Sequence, residues 1–452
     1  MIVRGGRVAL PGLDSPVEAD LKIEDGLIVD IGSSFSDREI IDAHGLLVIP
    51  GGIDPHVHFN DPGYTEREDF LHGTSAAASG GITTVIDMPC TSIPPVTCLD
   101  NLKIKLNTIE KEAIVDYGFF GGISRQSFEN GFPKNALEIA EFVLGFKTYF
   151  ISGMESFGSL NHHYFESVMR ELRDIDRPIL LHAEDKEYVQ PATAVSIGQG
   201  DKPEDFYLSR PEIAETLAVG SAVDICDETG GNLHIVHLGT AEAAAKIKNS
   251  NVTGETAPHY LMFDNRDFYR IGSPLKVTPV VKSPGNKEQL WEYLADGTIS
   301  FVASDHAPCP ENQKNTGSIW SDYSGIPGSG TLLPFIFSEG YLAGRLPLRR
   351  FIEVATSAAA ERYGISNRKG SIEIGKDADL VLIDTGAKWR VEGAKFLSKG
   401  KLTPFEGIEF KGRVLKTIVR GKTVYDSDRG IIVSGGYGNF IKAKKSDDRK
   451  AK

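Results

Sequence analysis

Cysteine is scarce, with four in 452 residues, at Cys90, Cys98, Cys226 and Cys309. None forms a C-x-x-C pair, which excludes a thiolate zinc knot, and the spacing offers no disulfide framework. Such usage fits a reduced, cytoplasmic protein. No apolar run approaches the roughly 20 residues of a membrane span, so no membrane partner is expected. The opening MIVRGGRVAL lacks the charged-then-apolar layout of a secretory signal. Basic residues are in the minority, Lys+Arg 49 against Asp+Glu 62 for a net charge of −13, which disfavours nucleic acid as a partner. What is present is ordinary globular composition, 40% hydrophobic and 25% charged, which excludes disorder as the dominant state. A chain of this length exceeds a single small core.

The texture of the chain changes near Gly51. Before it, short strands at Met1–Val8, Ala19–Glu24, Gly26–Ile31 and Leu46–Ile49 are punctuated by glycine turns. After it, apolar runs alternate with helical patterns such as Phe165–Leu172, Pro211–Glu228 and Glu288–Leu294. Eight such runs occur: Ile53–Asn60, Ile82–Met88, Ile114–Gly121, Gly145–Phe150, Pro178–Asp185, Leu233–Gly239, Val252–His259 and Ile299–His306. Eight βα units predict an α/β fold, a TIM-type (β/α)8 barrel over residues 51–365. Short strands return at Gly375–Ile383, Val414–Val419 and Lys422–Tyr425. Both chain ends, 1–50 and 366–440, are therefore expected to build one small β domain. The charged stretch 441–452 is expected to fray.

The 11 histidines are few, yet several fall at the C-terminal ends of expected strands, where barrel enzymes place their active sites. His56 and His58 close the first as His-Val-His, and strand alternation puts both on one face. His182 ends Ile179-Leu-Leu-His, and His237 ends His234-Ile-Val-His. Asp305 follows Phe301-Val-Ala-Ser, and a carboxylate there needs a cation or several donors. Lys147 lies inside the fourth strand, where an ammonium is costly to bury. A neutral amine there takes up carbon dioxide to become a carbamate, an anion able to bridge two metals. Singly, each has a bland alternative: a satisfied core histidine, an N-capping aspartate, a lysine whose head reaches water. Jointly, His56, His58, Lys147, His182, His237 and Asp305 make a coherent set for two divalent ions. Nitrogen and oxygen donors without thiolate suit zinc, with manganese, cobalt, nickel and iron left open.

These residues carry a family likeness. The chain resembles the amidohydrolase superfamily, in particular its cyclic amidohydrolases, the allantoinases, dihydroorotases and hydantoinases. The resemblance runs nearly end to end, through Pro50-Gly-Gly-Ile-Asp-Pro-His-Val-His-Phe-Asn-Asp-Pro-Gly63, Gly80-Gly-Ile-Thr-Thr84, Gly145-Phe-Lys147, Leu181-His-Ala-Glu184, Ser304-Asp-His-Ala-Pro308 and Gly375-Lys-Asp-Ala-Asp-Leu380. It implies a distorted barrel with a β-sandwich domain from both termini, and a binuclear centre on the same six residues with Lys147 carboxylated. It also implies a homodimer or homotetramer. Asp305 would then shuttle the proton in ring opening, with His259 and His306 standing behind the ligands.

The subgroup is mixed. Dihydroorotases carry Arg where Asn60 stands, Asn where Cys90 stands in Met88-Pro-Cys-Thr91, and a further Asn where Thr278 precedes Pro279. These three departures on the substrate side, with every ligand kept, point to a ring without a carboxylate. His-Phe-Asn-Asp-Pro-Gly63, Thr65-Glu-Arg-Glu-Asp-Phe70, Ser92-Ile-Pro-Pro95 and Glu255-Thr-Ala-Pro-His-Tyr-Leu261 are similar to allantoinases. Ser324-Gly-Ile-Pro-Gly328 and His306-Ala-Pro308 look more like dihydroorotases. Asn60, Cys90 and Thr278 are expected at the substrate, with backbone groups near Ser283 and Gly328 reading its imide edge. Glu66 and Arg67 fit surface ion pairs or a lid. The expected activity is hydrolysis of an allantoin-like or hydantoin-like cyclic amide, with dihydroorotase as the alternative. A non-catalytic scaffold related to dihydropyrimidinases is the competing class, and the intact ligand set argues against it.

Overall fold

The computed structural model describes residues 1–442. Eight short strands surround a common axis: Gly52–Val57, Ile82–Asp87, Asp116–Phe119, Phe146–Tyr149, Ile179–His182, Leu233–Ile235, Thr253–Thr256 and Phe301–Val302. All their pairings are parallel. The third continues into Gly121–Gly122, which pairs with the fourth. Closure between the first and the eighth comes from the Val57–His306 bridge, with the His58 amide donating to the His306 carbonyl at 2.8 Å. Nearly every residue of these strands is buried, which is why they read as continuous apolar runs in the sequence.

The observed strands are shorter than the apolar runs predict, and the reasons are local. Pro258 opens the helix Pro258–Met262 and stops the seventh strand at Thr256. The sixth stops at Ile235 and the eighth at Val302, and just beyond them His237 and Asp305 take left-handed backbone, φ 40° and 51°. Asn60, at φ 29°, likewise turns the chain after the first.

Strands from both chain ends form the smaller, sandwich domain. Ile2–Val8, Val17–Glu24, Leu27–Gly32, Ile40–Asp42 and Leu47–Pro50 join Leu380–Arg390, Glu409–Val419, Lys422–Asp426 and Gly430–Ile431 in one hydrogen-bonded run. The seam is antiparallel, Leu47–Pro50 against Leu380–Ile383. Val3, Leu21, Ile28, Val48, Leu380 and Ile418 fill the core. Ile40–Asp42, mostly exposed, has no apolar signal and escapes sequence reading.

Two features tie this domain to the barrel. Lys369 Nζ lies 2.6, 2.8 and 2.6 Å from carboxylate oxygens of Asp116, Asp377 and Asp379, all buried. Asp116 belongs to the third barrel strand and also pairs with Arg420. Further along, the Tyr117 amide donates to the Asn439 carbonyl at 3.0 Å, and the Ile441 amide to the Tyr117 carbonyl at 2.7 Å. Of the stretch expected to fray, Ile441 is thus packed and buried; residues 443–452 lie outside the described residues.

Candidate metal centre

The barrel mouth gathers the expected ligands. His56 Nε2 and His58 Nε2 each lie 3.3 Å from Asp305 Oδ1. The rings then run as a chain, with centroids 5.3 Å apart for His58–His56, 5.4 Å for His56–His237 and 4.7 Å for His237–His182. His182 Nδ1 faces His237 Nε2 at 3.0 Å. Lys147 is wholly buried in the fourth strand. Its Nζ has no hydrogen-bond partner among the described residues, and burial pulls the amine down to about 8. A buried amine among four imidazoles and a carboxylate is costly to leave without a partner. The nitrogen and oxygen donors fit divalent cations.

Buried groups fix several ring orientations. His56 Nδ1 lies 2.5 Å from Glu255 Oε1; burial pushes that carboxyl up and the imidazole down. His182 Nε2 lies 3.0 Å from Glu184 Oε2, and Arg210 Nη1 donates to the same oxygen at 2.5 Å. Burial raises the Glu184 carboxyl, but the Arg210 guanidinium and His182 outweigh it and hold it at about 2. Among the described residues His58 Nδ1 has only the Cys90 thiol at 3.7 Å, and Cys90 Sγ in turn lies 3.0 Å from Tyr149 Oη. Asp54 clamps the first strand to the eighth by accepting from the Ser304 amide, 3.0 Å, the Ser304 hydroxyl, 2.6 Å, and the Ser329 hydroxyl, 2.8 Å.

A cavity of about 320 Å3 opens over these residues. Cys90 and Thr278 line it, together with Tyr149, Arg210 and Tyr323. Three other residues expected on the substrate side have protein partners of their own. Asn60 is buried and closes its own turn, Nδ2 donating to the His58 carbonyl at 3.0 Å, because left-handed backbone there breaks the strand alternation that would aim it inward. Ser283 is off the cavity wall, its amide donating to Glu212 Oε1 at 2.9 Å. The Gly328 amide is taken by His306 Nδ1 at 3.1 Å; a Cβ there would meet Ser304 Cβ at 2.8 Å, so the glycine serves close packing.

His306 is buried, accepts the Gly328 and Ser329 amides on Nδ1, and faces Glu68 Oε2 with Nε2 at 3.1 Å. It therefore anchors the turn that carries Asp305. Neither ring nitrogen of His259 has a partner among the described residues; its ring packs on Tyr260, centroids 4.2 Å apart. Arg67 is neither a surface ion pair nor free: its guanidinium sits 4.6 Å from the Tyr64 ring and 4.5 Å from the Tyr323 ring, with Nε donating to Gln313 at 2.8 Å. It joins the loop after the first strand to the cavity rim. Glu184 and Glu255 each follow a mostly uncharged run, which was their available signal; Glu68 lies in the polar stretch Thr65-Glu-Arg-Glu-Asp69, where nothing distinguishes it. Nothing local marks Arg210 or Tyr149 for their roles.

The amidohydrolase family profile matches residues 47–424. The chain is 36% identical to the allantoinase of Rubrobacter xylanophilus, covering 98% of each. It is 32% identical to the allantoinase of Saccharomyces cerevisiae, covering 95% of this chain and 96% of the relative. Among solved structures, the L-hydantoinase (dihydropyrimidinase) of Arthrobacter aurescens superposes with a TM-score of 0.90 at 31% identity, over 98% of this chain and 99% of that one. The D-hydantoinase (dihydropyrimidinase) of a Thermus species gives 0.91 at 26% identity over 98% of both.

Proposed function

This chain belongs to the amidohydrolase family and is a hydrolase of cyclic amide C–N bonds, and we propose that its substrate is an uncharged ring, allantoin-like or hydantoin-like. The family uses a binuclear divalent centre. We assign it here to His56, His58, Lys147 as a carbamate, His182, His237 and Asp305, with zinc as the ion that this donor set suits. Ions bound there supply Lewis acidity toward the ring carbonyl and lower the pKa of water.

The chain's own groups do the rest. Asp305, 3.3 Å from both His56 and His58 nitrogens, accepts the proton of the attacking water and delivers it to the departing ring nitrogen. Glu255 and Glu184 hold His56 and His182 in one tautomer. Arg67, wedged between Tyr64 and Tyr323, braces the rim. The four free cysteines fit a reduced compartment, and a homodimer or homotetramer is our reading of the assembly.

The observation that carries this reading is the orphaned Lys147 amine amid converging imidazoles. Metal analysis of the purified protein should return two equivalents per chain; none would favour a scaffold. Ring opening on allantoin, hydantoin, dihydroorotate and dihydropyrimidines should show turnover of the uncharged rings. Rapid opening of dihydroorotate with allantoin and hydantoins ignored would overturn the substrate assignment.

A further inference from the structure

Between Leu380–Arg390 and Glu409–Val419 the chain leaves the sandwich as a loop, 391–408, and returns. The neck of this loop is closed by the Gly407 amide on the Val391 carbonyl, 2.8 Å, and the Val391 amide on the Ile408 carbonyl, 2.9 Å. Its far end, Ser398-Lys399-Gly400, lies across the two segments that leave the first and the eighth barrel strands. Ser398 Oγ donates to Glu68 Oε2 at 2.5 Å, and the Lys399 amide to Glu68 Oε1 at 3.3 Å. Lys399 Nζ lies 2.5 Å from Asp69 Oδ2. On the other side, Gly400 packs so closely that a Cβ there would collide with Pro308. Ser398, Glu68 and His306 are all buried.

These contacts lead to Asp305. Glu68 Oε2 also faces His306 Nε2 at 3.1 Å. Because His306 Nδ1 accepts the Gly328 and Ser329 amides, Nε2 carries the ring hydrogen and donates to Glu68. The His306 amide is shared between Ser304 Oγ, 3.0 Å, and the His56 carbonyl, 3.2 Å. Asp305 stands between Ser304 and His306 in left-handed backbone, φ 51°, a conformation that persists only where its surroundings over-determine it. Asp54 holds the Ser304 side; Glu68 holds the His306 side, and Ser398 holds Glu68. We infer that Ser398 is a positioning residue: acting through Glu68 and His306 it fixes the turn of Asp305, so that a loop of the sandwich domain sets the aim of the carboxyl that moves the proton in ring opening. The inference rests on the role given to Asp305 above and deepens it. Without the Ser398 hydroxyl, Glu68 Oε2 keeps the His306 ring as its one partner among the described residues. The freedom gained there passes through the ring to the turn, and a displacement of about 1 Å at a reacting group costs roughly 10²-fold in rate.

The test is Ser398→Ala, with zinc in excess, on whichever of allantoin and hydantoin the wild type opens faster. kcat should fall about tenfold or more, while KM stays within about threefold because the cavity wall is untouched. Glu68→Gln combined with Ser398→Ala should be no slower than Glu68→Gln alone, since the hydroxyl acts through that carboxyl. Hydrogen exchange gives a measure that needs no turnover: in Ser398→Ala the amides of residues 301–309 should lose protection and those of Leu380–Arg390 should keep it. An unaltered kcat, effects that multiply in the double variant, or protection lost throughout the sandwich strands would each overturn the inference and leave Ser398 as a packing residue. A wild type that opens neither ring refutes the substrate reading above, and the exchange result by itself then decides whether Ser398 holds the turn.

Discussion

Two of the four imidazoles at the mouth are backed by a buried carboxylate and two are not. Glu255 stands behind His56 and Glu184 behind His182, while His58 has a thiol at 3.7 Å and His237 Nδ1 has no partner among the described residues. A carboxylate behind a ligand raises its basicity and fixes its ring. Glu255→Gln should therefore weaken metal affinity by about 10–100-fold, read by chelator competition. Cys90→Ala should leave that affinity within about threefold, since a long thiol contact contributes little; an equal loss in both variants would show the thiol to be a true partner. Asp305 has a different task. Asp305→Asn should lower kcat by roughly 10²–10⁴-fold, and substantial remaining turnover would remove it from proton transfer.

At the scale of elements, the strand ends decide what a sequence discloses. Positions inside the strands obey alternation, so His56, Lys147 and His182 are legible from pattern alone. Beyond the ends the chain leaves regular geometry at Asn60, His237 and Asp305, with φ of 29°, 40° and 51°, a backbone costing about 1–3 kcal/mol per residue. His237 and Asp305 are still found, because their residue types are rare in such places. Asn60 is misplaced, because its direction depends on the turn. Arg210 and Tyr149 meet the site through tertiary packing that no spacing encodes.

The segment behind the cavity wall, where the Gly325 amide donates to the Lys276 carbonyl at 2.9 Å, shows another element-scale effect. Lys276 Nζ donates to the Trp320 and Asp322 carbonyls, and Lys314 Nζ to those of Ser273, 2.9 Å, and Lys276, 3.2 Å. Burial pulls Lys314 from its ordinary 10.5 down to about 7. Between those values the unfolded chain holds a proton that the folded chain has shed, so stability rises with pH from about 7 toward 10 and falls as pH drops through that window. Thermal melts across the window should show this slope, and Lys314→Met should reduce it; an unaltered slope would place the titration elsewhere.

For the whole molecule, the cluster of Lys369 with Asp116, Asp377 and Asp379 is the polar lock between barrel and sandwich. Removing the cation leaves three buried carboxylates whose remaining ion-pair partners among the described residues are Arg368 and Arg420. Lys369→Ala should cost about 3–5 kcal/mol in chemical denaturation, with the metal ligands untouched. A loss under about 1 kcal/mol would mean that water or the arginines compensate.

The seam between Leu47–Pro50 and Leu380–Ile383 also sets a timetable for birth on the ribosome. The earlier segment emerges roughly 330 residues before its partner, a wait of tens of seconds at ordinary elongation rates. Throughout that interval an apolar β edge lies open to neighbouring nascent chains. Prematurely terminated products would keep it open for good, so slower synthesis or chaperone supply, rather than any change at the barrel mouth, should govern how much soluble protein a cell recovers.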